Sequence, residues 1–419
     1  MRDINRNSPS NLYRIDVNTS IYTKAVYNDG TSAIIYVRRA LTNSVNADKW
    51  HIHLQGGGSC GNGTSCARRW LSSRTNFGAG KMSNRFAPRR GINGNGILSA
   101  SLQNTFGDWN HVFMYYGSSD SWQGRRGNVL LETAWYSGTP PIHNHPSQYL
   151  IHFRGADIID AVIDMLRTGT ITYTTPSGDI LMPDLDDAEQ VLLSGSSAGG
   201  VGVIYNADRI GTFLQTNNQN IAGLDFRAVV DAAYTRSYAT RDYLNTPMCQ
   251  IRGLCSYDLM MTNEWLNVHE ALLAPDPITG TVSVEDSCEN NESGTEWKCA
   301  DEVHVLENHV ATTLFVRQDL QDSLFAGSYA ETDYGSHGDF GLIKEMELRR
   351  FHADDPTRGV FGPQCGNHTG MRHETTFFDE DIDGQGTTFH NLLSNWLISP
   401  TSIISVTAYQ EPGIVNGCP

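Results

Sequence analysis

The chain has 419 residues, 39% of them hydrophobic and 10% aromatic, enough to bury a large core. Its formal net charge of −16 leaves no basic footprint for a nucleic acid, and no run of eighteen apolar residues reads as a membrane span. The Met1-Arg2-Asp3-Ile4 start has no apolar stretch, so a signal peptide is expected to be absent or already removed.

Taken in order, residues 21–27, 32–37 and 50–54 are predicted strands. The third ends in Gln55-Gly56-Gly57-Gly58-Ser59-Cys60, where three glycines allow positive φ and close backbone approach. Residues 61–108 are rich in Gly, Asn, Ser and Arg, and so long an irregular stretch is expected to cover a site or serve one. Residues 109–116 form a further strand. Between Tyr149 and Thr168, apolar residues recur at helical spacing (Ile151, Ile158, Ile159, Val162, Ile163, Leu166), which predicts a helix.

The centre of the chain is Gly195-Ser196-Ser197-Ala198-Gly199, between a short apolar strand at 191–193 and a helix starting at Ala198. Gly-x-Ser-x-Gly in that setting is the pattern of a nucleophile held on a sharp strand-to-helix turn, where only small flanking residues fit. The turn would lift Oγ of Ser197 clear of the sheet and leave the Ala198 N–H free at a helix N-terminus, well placed for an oxyanion.

Further strands are predicted at 226–231, 311–318 and 359–362, and helices at 339–352 and 388–397. Residues 234–300 hold two local cysteine pairs with Tyr257, Trp265 and Trp297, and read as an inserted cap. Alternating strands and helices imply a mainly parallel sheet with helices on both faces. The expected architecture is one α/β-hydrolase domain over 1–419, with cap segments at 59–108 and 234–300.

None of the eight cysteines lies in a Cys-x-x-Cys pair, which argues against a zinc ribbon. Cys60/Cys66, Cys249/Cys255 and Cys288/Cys299 are spaced as three local loops, and Cys365 with Cys418 as a long one. This is a disulfide framework, so an extracellular or periplasmic location is expected. Asp379-x-Asp381-x-Asp383-Gly384 opens like a calcium loop, but its twelfth position is His390 rather than glutamate, so an acidic solvated loop is expected there. Neither metal nor cofactor is expected.

A nucleophilic serine needs a base, and the base an orienting carboxylate; in this fold class the chain order is Ser, acid, His. Of the histidines after Ser197, only His368 and His373 sit just past the last predicted strand, and a tether at Cys365 favours His368. For the acid, Asp319 and Asp322 follow the penultimate strand and Asp231 the one before it. Position favours Asp319 or Asp322 without choosing between them.

These stretches together resemble the pectin acetylesterase/Notum family of carboxylesterases. The resemblance runs through His53-Leu54-Gln55-Gly56-Gly57-Gly58-Ser59-Cys60 with Cys66, Gly96-Ile97-Leu98-Ser99, and Trp109-Asn110-x-Val112 with Tyr115-Tyr116. It continues through Ser194–Gly200, Asn206-x-Asp208, Asp322-Ser323 and Cys365-x-x-His368. It implies Ser197 as nucleophile, Asp322 as acid and His368 as base, with an oxyanion hole from the amides of Gly57, Gly58 and Ala198. Cys60–Cys66 and Cys365–Cys418 resemble family disulfides. The sequence departs from the family at Tyr116-Gly117, where a Tyr-Cys would stand, so one disulfide is missing. Ser59 replaces a bulky aromatic beside the oxyanion hole and implies a differently shaped acyl pocket. Trp122, Trp135 and Tyr136 are candidates to stack sugars or line that pocket. The implied activity is that of a secreted serine esterase whose partner is an ester substrate. Acetyl on a polysaccharide such as pectin is the favoured group, a longer acyl ester the alternative, and a non-catalytic carbohydrate binder a third reading.

Overall fold

The computed structural model describes residues 8–72, 78–133, 148–220, 223–235, 237–274, 286–332, 337–383, 385–400, 403–408 and 418. The strands are β1 (Asn11–Asp16), β2 (Ile34–Arg38), β3 (Lys49–Leu54), β4 (Gly91–Asn93), β5 (Asn110–Met114), β6 (Arg126–Glu132), β7 (Gln148–Phe153), β8 (Thr172–Thr175), β9 (Gly178–Leu181), β10 (Gln190–Ser196), β11 (Asp225–Asp231), β12 (Leu314–Arg317), β13 (Gly359–Gly362) and β14 (Ile404–Val406). The helices are α1 (Gly63–Leu71), α2 (Gly155–Leu166), α3 (Ala198–Asn217), α4 (Pro247–Arg252), α5 (Tyr257–Glu264), α6 (Asp286–Asn291), α7 (Glu302–Asn308), α8 (Ser323–Thr332), α9 (His337–Asp354), α10 (Glu374–Phe378) and α11 (Phe389–Ile398).

Ten strands make one sheet in the order β14-β13-β12-β11-β10-β3-β5-β2-β1-β4. Every pairing from β14 to β5 is parallel, and β2, β1 and β4 extend that edge antiparallel. The central strands read as unbroken apolar runs because both faces are covered: β12 and β13 are buried at every position, and β10 at all but Gln190. One large core includes Trp50, Ile52, Val191, Leu193, Val203, Phe315 and Phe361. A smaller cluster joins Cys60, Cys66, Met82, Phe153, Leu272 and Leu273, so that α1, the β6–β7 hairpin and a π-helical turn over Trp265–Leu273 pack on one another.

Two predicted elements differ from what forms. Residues 21–27 are not a strand: the N–H groups of Ile21, Tyr22 and Ala25 bond locally to Asn18, Asn18 and Tyr22, Val26 makes a single bridge to Ser32, and β1 takes the sheet position beside β2. The helix predicted from Tyr149 begins only at Gly155. Residues 148–153 are strand β7, in which Ile151 and Phe153 face inward while Leu150 faces out. Ile151 satisfies a period of two as well as 3.6, and Gly155 sits so close to Asp120 and Trp122 that no side chain would fit there. Residues 61–108 are not structureless either, since α1 opens with a reciprocal cap between Asn62 and Ser65. The eight cysteines form the four bridges Cys60–Cys66, Cys249–Cys255, Cys288–Cys299 and Cys365–Cys418.

Candidate active site

β10 delivers Ser197 to the C-terminal edge of the sheet, where open parallel sheets place their ligand crevices. Ser197 has φ +56° and ψ −125°, a conformation that costs a non-glycine residue energy. Its surroundings hold it there: its N–H donates to the Asp231 carbonyl at 2.8 Å, and its own carbonyl starts the first turn of α3 by accepting from Val201. The small neighbours are obligatory. A Cβ at Gly195 would collide with the Gly199 carbonyl, one at Gly199 with that of Leu54, and one at Gly56 with that of Ser196.

Ser197 Oγ lies 2.8 Å from His368 Nε2, and His368 Nδ1 lies 2.9 and 3.0 Å from the two oxygens of Asp322. An ionised carboxylate only accepts, so the imidazole proton sits on Nδ1 and the Nε2 lone pair faces the serine hydroxyl. Asp322 is fully buried, and its orientation is fixed by donors from Gln318 Nε2 (2.9 Å), Leu324 N (3.0 Å) and Phe325 N (3.2 Å). The Phe325 ring stands edge-on to the imidazole, 5.0 Å between centroids. Of the two acids that the sequence leaves open, Asp322 is the one that faces His368.

Asp319 and Asp231 hold the loop instead. Asp319 accepts from Asn367 N at 2.7 Å, and Asp231 accepts from Gly370 N and Met371 N at 3.1–3.2 Å, so backbone amides on both sides of His368 are anchored on buried carboxylates. The Asn367 side-chain Nδ2 donates to Glu380 Oε1 at 3.2 Å. Arg317 sits among the three acids with no exposed surface, 3.1 Å from Asp231, 3.2 Å from Glu380, and in contact with Asp319. Burial by itself would lower the pKa of Arg317, but Asp319, Glu380 and Asp231 outweigh it and raise it. Burial pushes the Asp319 carboxyl well up against the pull of Arg317. Sequence reasoning passed over Arg317 and Glu380; the available signal was an arginine closing the apolar run of β12, two residues before an aspartate. His373 is exposed at the start of α10.

The glycine loop after β3 carries two positive φ values, +151° at Gly57 and +66° at Gly58. The Arg69 guanidinium donates to the Gly57 carbonyl at 2.7 Å, and the methylenes of Lys81 lie 3.0–3.1 Å from where a Gly57 Cβ would stand. Lys81 is buried; desolvation, then Arg372 and Arg69, push its ammonium pKa well down. The amides of Gly57, Gly58 and Ala198 donate to no other described residue. Ser59 is exposed beside them.

Trp122 corrects the expectation of a substrate-facing aromatic. It is 0% exposed, its indole N–H donates to the Gln55 carbonyl at 3.0 Å, and it packs against Gly202, so it supports the glycine loop from beneath. Trp135 and Tyr136 lie outside the described residues. In the acidic loop, Asp381 and Asp383 accept from the loop's own amides at Asp383, Gln385 and Gly386 and from the Thr387 hydroxyl. No helix of the described residues is long and apolar enough to cross a membrane.

The family described as Pectinacetylesterase matches residues 9–234, more than half of the chain. Similar proteins include the palmitoleoyl-protein carboxylesterase notum1a of Danio rerio, 25% identical over 425 residues, which cover 98% of this chain and 71% of that one. The palmitoleoyl-protein carboxylesterase NOTUM of Schmidtea mediterranea is 26% identical over 347 residues, 81% of this chain and 55% of that one. Among solved structures, the Wnt deacylase Notum from Drosophila superposes with a TM-score of 0.68 at 24% identity, covering 99% of this chain and all of that one. At that identity the likeness carries the fold: a large, mostly parallel sheet flanked by helices, of the α/β-hydrolase type.

Proposed function

The chain belongs to the pectinacetylesterase family, a family of carboxylic ester hydrolases, and from that premise we propose that it is a serine esterase working through Ser197, His368 and Asp322. The observation that carries the reading is the unbroken relay from Asp322 through Nδ1 and Nε2 of His368 to Oγ of Ser197. As Oγ attacks an ester carbonyl, its proton passes to Nε2, and Asp322 stabilises the imidazolium that forms. The amides of Gly57, Gly58 and Ala198, which donate to no other described residue, receive the oxyanion. Donors of this kind are typically worth about 2.7–4 kcal/mol each at the barrier. The imidazolium then protonates the departing alkoxide. Water, deprotonated by His368, attacks the acyl-serine and releases the acid.

For the substrate, the reading is an O-acetyl group on a polysaccharide such as pectin, in keeping with the family description. Segments 59–108 and 234–300 act in this reading as caps around the site; Val268 of the second packs on Gly61, just beyond the glycine loop. The four disulfides fit an oxidising, extracellular setting. A longer acyl group is the second reading. It is favoured by the relatives' description as palmitoleoyl-protein carboxylesterases.

Steady-state hydrolysis of p-nitrophenyl esters from acetyl to palmitoleoyl, with Ser197→Ala as control, tests both. A kcat/KM highest for acetyl supports the first reading and a maximum at long chains the second. Ser197→Ala should lose on the order of 10⁶-fold in kcat. Full activity in that variant would overturn the mechanism.

A further inference from the structure

Three ligand-type atoms converge at the seam between α6 and α7. Glu292 follows α6, His304 lies in α7, and His309 caps its C-terminus, while Cys288–Cys299 ties α6 to the turn Glu296–Ala300 just before α7. His304 Nε2 is 3.0 Å from Glu292 Oε1, His309 Nε2 is 3.2 Å from His304 Nε2, and His309 Nε2 is 3.8 Å from the same Oε1. Three atoms so spaced can all stand about 2.0–2.1 Å from one point, the bond length zinc makes to nitrogen and carboxylate oxygen. The two ring centroids are 5.0 Å apart against 3.2 Å for their Nε2 atoms, so the rings splay outward from that point.

Protons can fill the arrangement in two ways. If His304 Nε2 carries the hydrogen toward Glu292, His309 Nε2 must face it as an acceptor, which places the His309 proton on Nδ1, a buried atom with no hydrogen-bond partner among the described residues. If His304 Nε2 is instead the acceptor, its lone pair meets the carboxylate at 3.0 Å. A cation at the shared point gives both Nε2 lone pairs and the carboxylate one common partner, and like the first proton arrangement it leaves the His309 proton on Nδ1. The carboxylate is also oriented from behind: its second oxygen takes Lys298 Nζ at 2.9 Å and Thr295 Oγ1 at 2.8 Å, which leaves Oε1 turned to the shared point, the support that metal-binding carboxylates usually have. Cys288 Sγ is also near both imidazoles but is held in its disulfide.

We propose that Glu292, His304 and His309 bind a zinc-class divalent cation, with solvent completing a tetrahedron. Two imidazole nitrogens with one carboxylate select zinc over calcium or magnesium, which require oxygen ligands. The ion bridges α7 to the segment that ends α6 and acts as a structural clamp, adding to the disulfide beside it.

The test uses the whole chain, stripped with a chelator, dialysed and titrated with zinc chloride by calorimetry and thermal unfolding. One zinc per chain and a Tm rise of a few degrees are expected. His304→Ala and His309→Ala should each lose that binding and that shift, and Glu292→Gln should weaken it at least tenfold. Cobalt in place of zinc should give visible absorption of a tetrahedral centre in the wild type and not in the histidine variants. Absence of stoichiometric zinc and of any Tm change in the wild-type chain would overturn the proposal, as would equal zinc affinity in the folded variants. Should an alanine variant not fold, His304→Asn or His309→Gln takes its place, and the wild-type titration decides independently.

Discussion

Asp319 and Asp322 are three positions apart, both fully buried, and play unlike parts. Asp322 touches the imidazole through both oxygens, whereas Asp319 touches Arg317 and the amide of Asn367. Asp322→Asn keeps the shape and an acceptor for Leu324 N but favours the wrong imidazole tautomer, so kcat should fall about 10⁴-fold with little change in KM. Asp319→Asn leaves the relay intact and weakens the brace of the His368 loop, so its loss should appear mainly as a lower Tm with a much smaller fall in kcat. Steady-state kinetics and calorimetry on the two variants separate the roles; equal kcat losses would remove the distinction. Which of the two carboxylates meets the imidazole depends on how the chain turns after β12, a matter of three-dimensional path. The motif resemblance chose Asp322, but the residues alone did not.

At the level of elements, α7 shows how a helix end couples to pH. Asp301 caps it, accepting from Val303 N at 3.0 Å and His304 N at 3.2 Å, and its second oxygen accepts from Tyr257. Burial, followed by the charge of Glu302, pushes the Asp301 carboxyl up to about 7. The folded chain therefore holds this proton more tightly than the unfolded chain does. The stability it contributes is complete at low pH and is lost as pH rises from the ordinary carboxyl range through about 7. Asp301→Asn, which keeps the cap, should gain Tm relative to the wild type as pH is raised from 4 to 7 in paired melts. A difference independent of pH would mean that Asp301 stays ionised throughout. The elements themselves were legible where an apolar run or the elbow motif marked them, as in β3, β10, α3 and β13. They were misread at β7, where Ile151 fits two periods, and at 21–27, where local turns claim the backbone donors.

For the molecule as a whole, the loop of His368 is anchored by Cys365–Cys418, which closes a span of 53 residues around β14 and α11. A cross-link of that length removes about 4 kcal/mol of chain entropy from the unfolded state. Cys365→Ser with Cys418→Ser should lower the unfolding free energy by about that amount, measured in urea, with the Ser197–His368 relay still held by the Asp319 and Asp231 anchors. A change below about 1 kcal/mol would show that the unfolded chain is already compact there.

The sequence by itself determined the elbow, the cysteine pairing, the parallel sheet and the family, because each is written in local spacing: small residues around a strained serine, paired half-cystines, runs of one period. It could not determine which carboxylate faces His368, that Trp122 lies beneath the glycine loop rather than in the cleft, or that Arg317 gathers Asp231, Asp319 and Glu380. Nor did it single out Glu292, His304 and His309, whose intervals match no ligand motif and whose side chains meet only when α7 folds back on the end of α6. The reason is physical. A side chain's partner across the core is set by packing among elements far apart in the chain, and no period along the sequence records that distance.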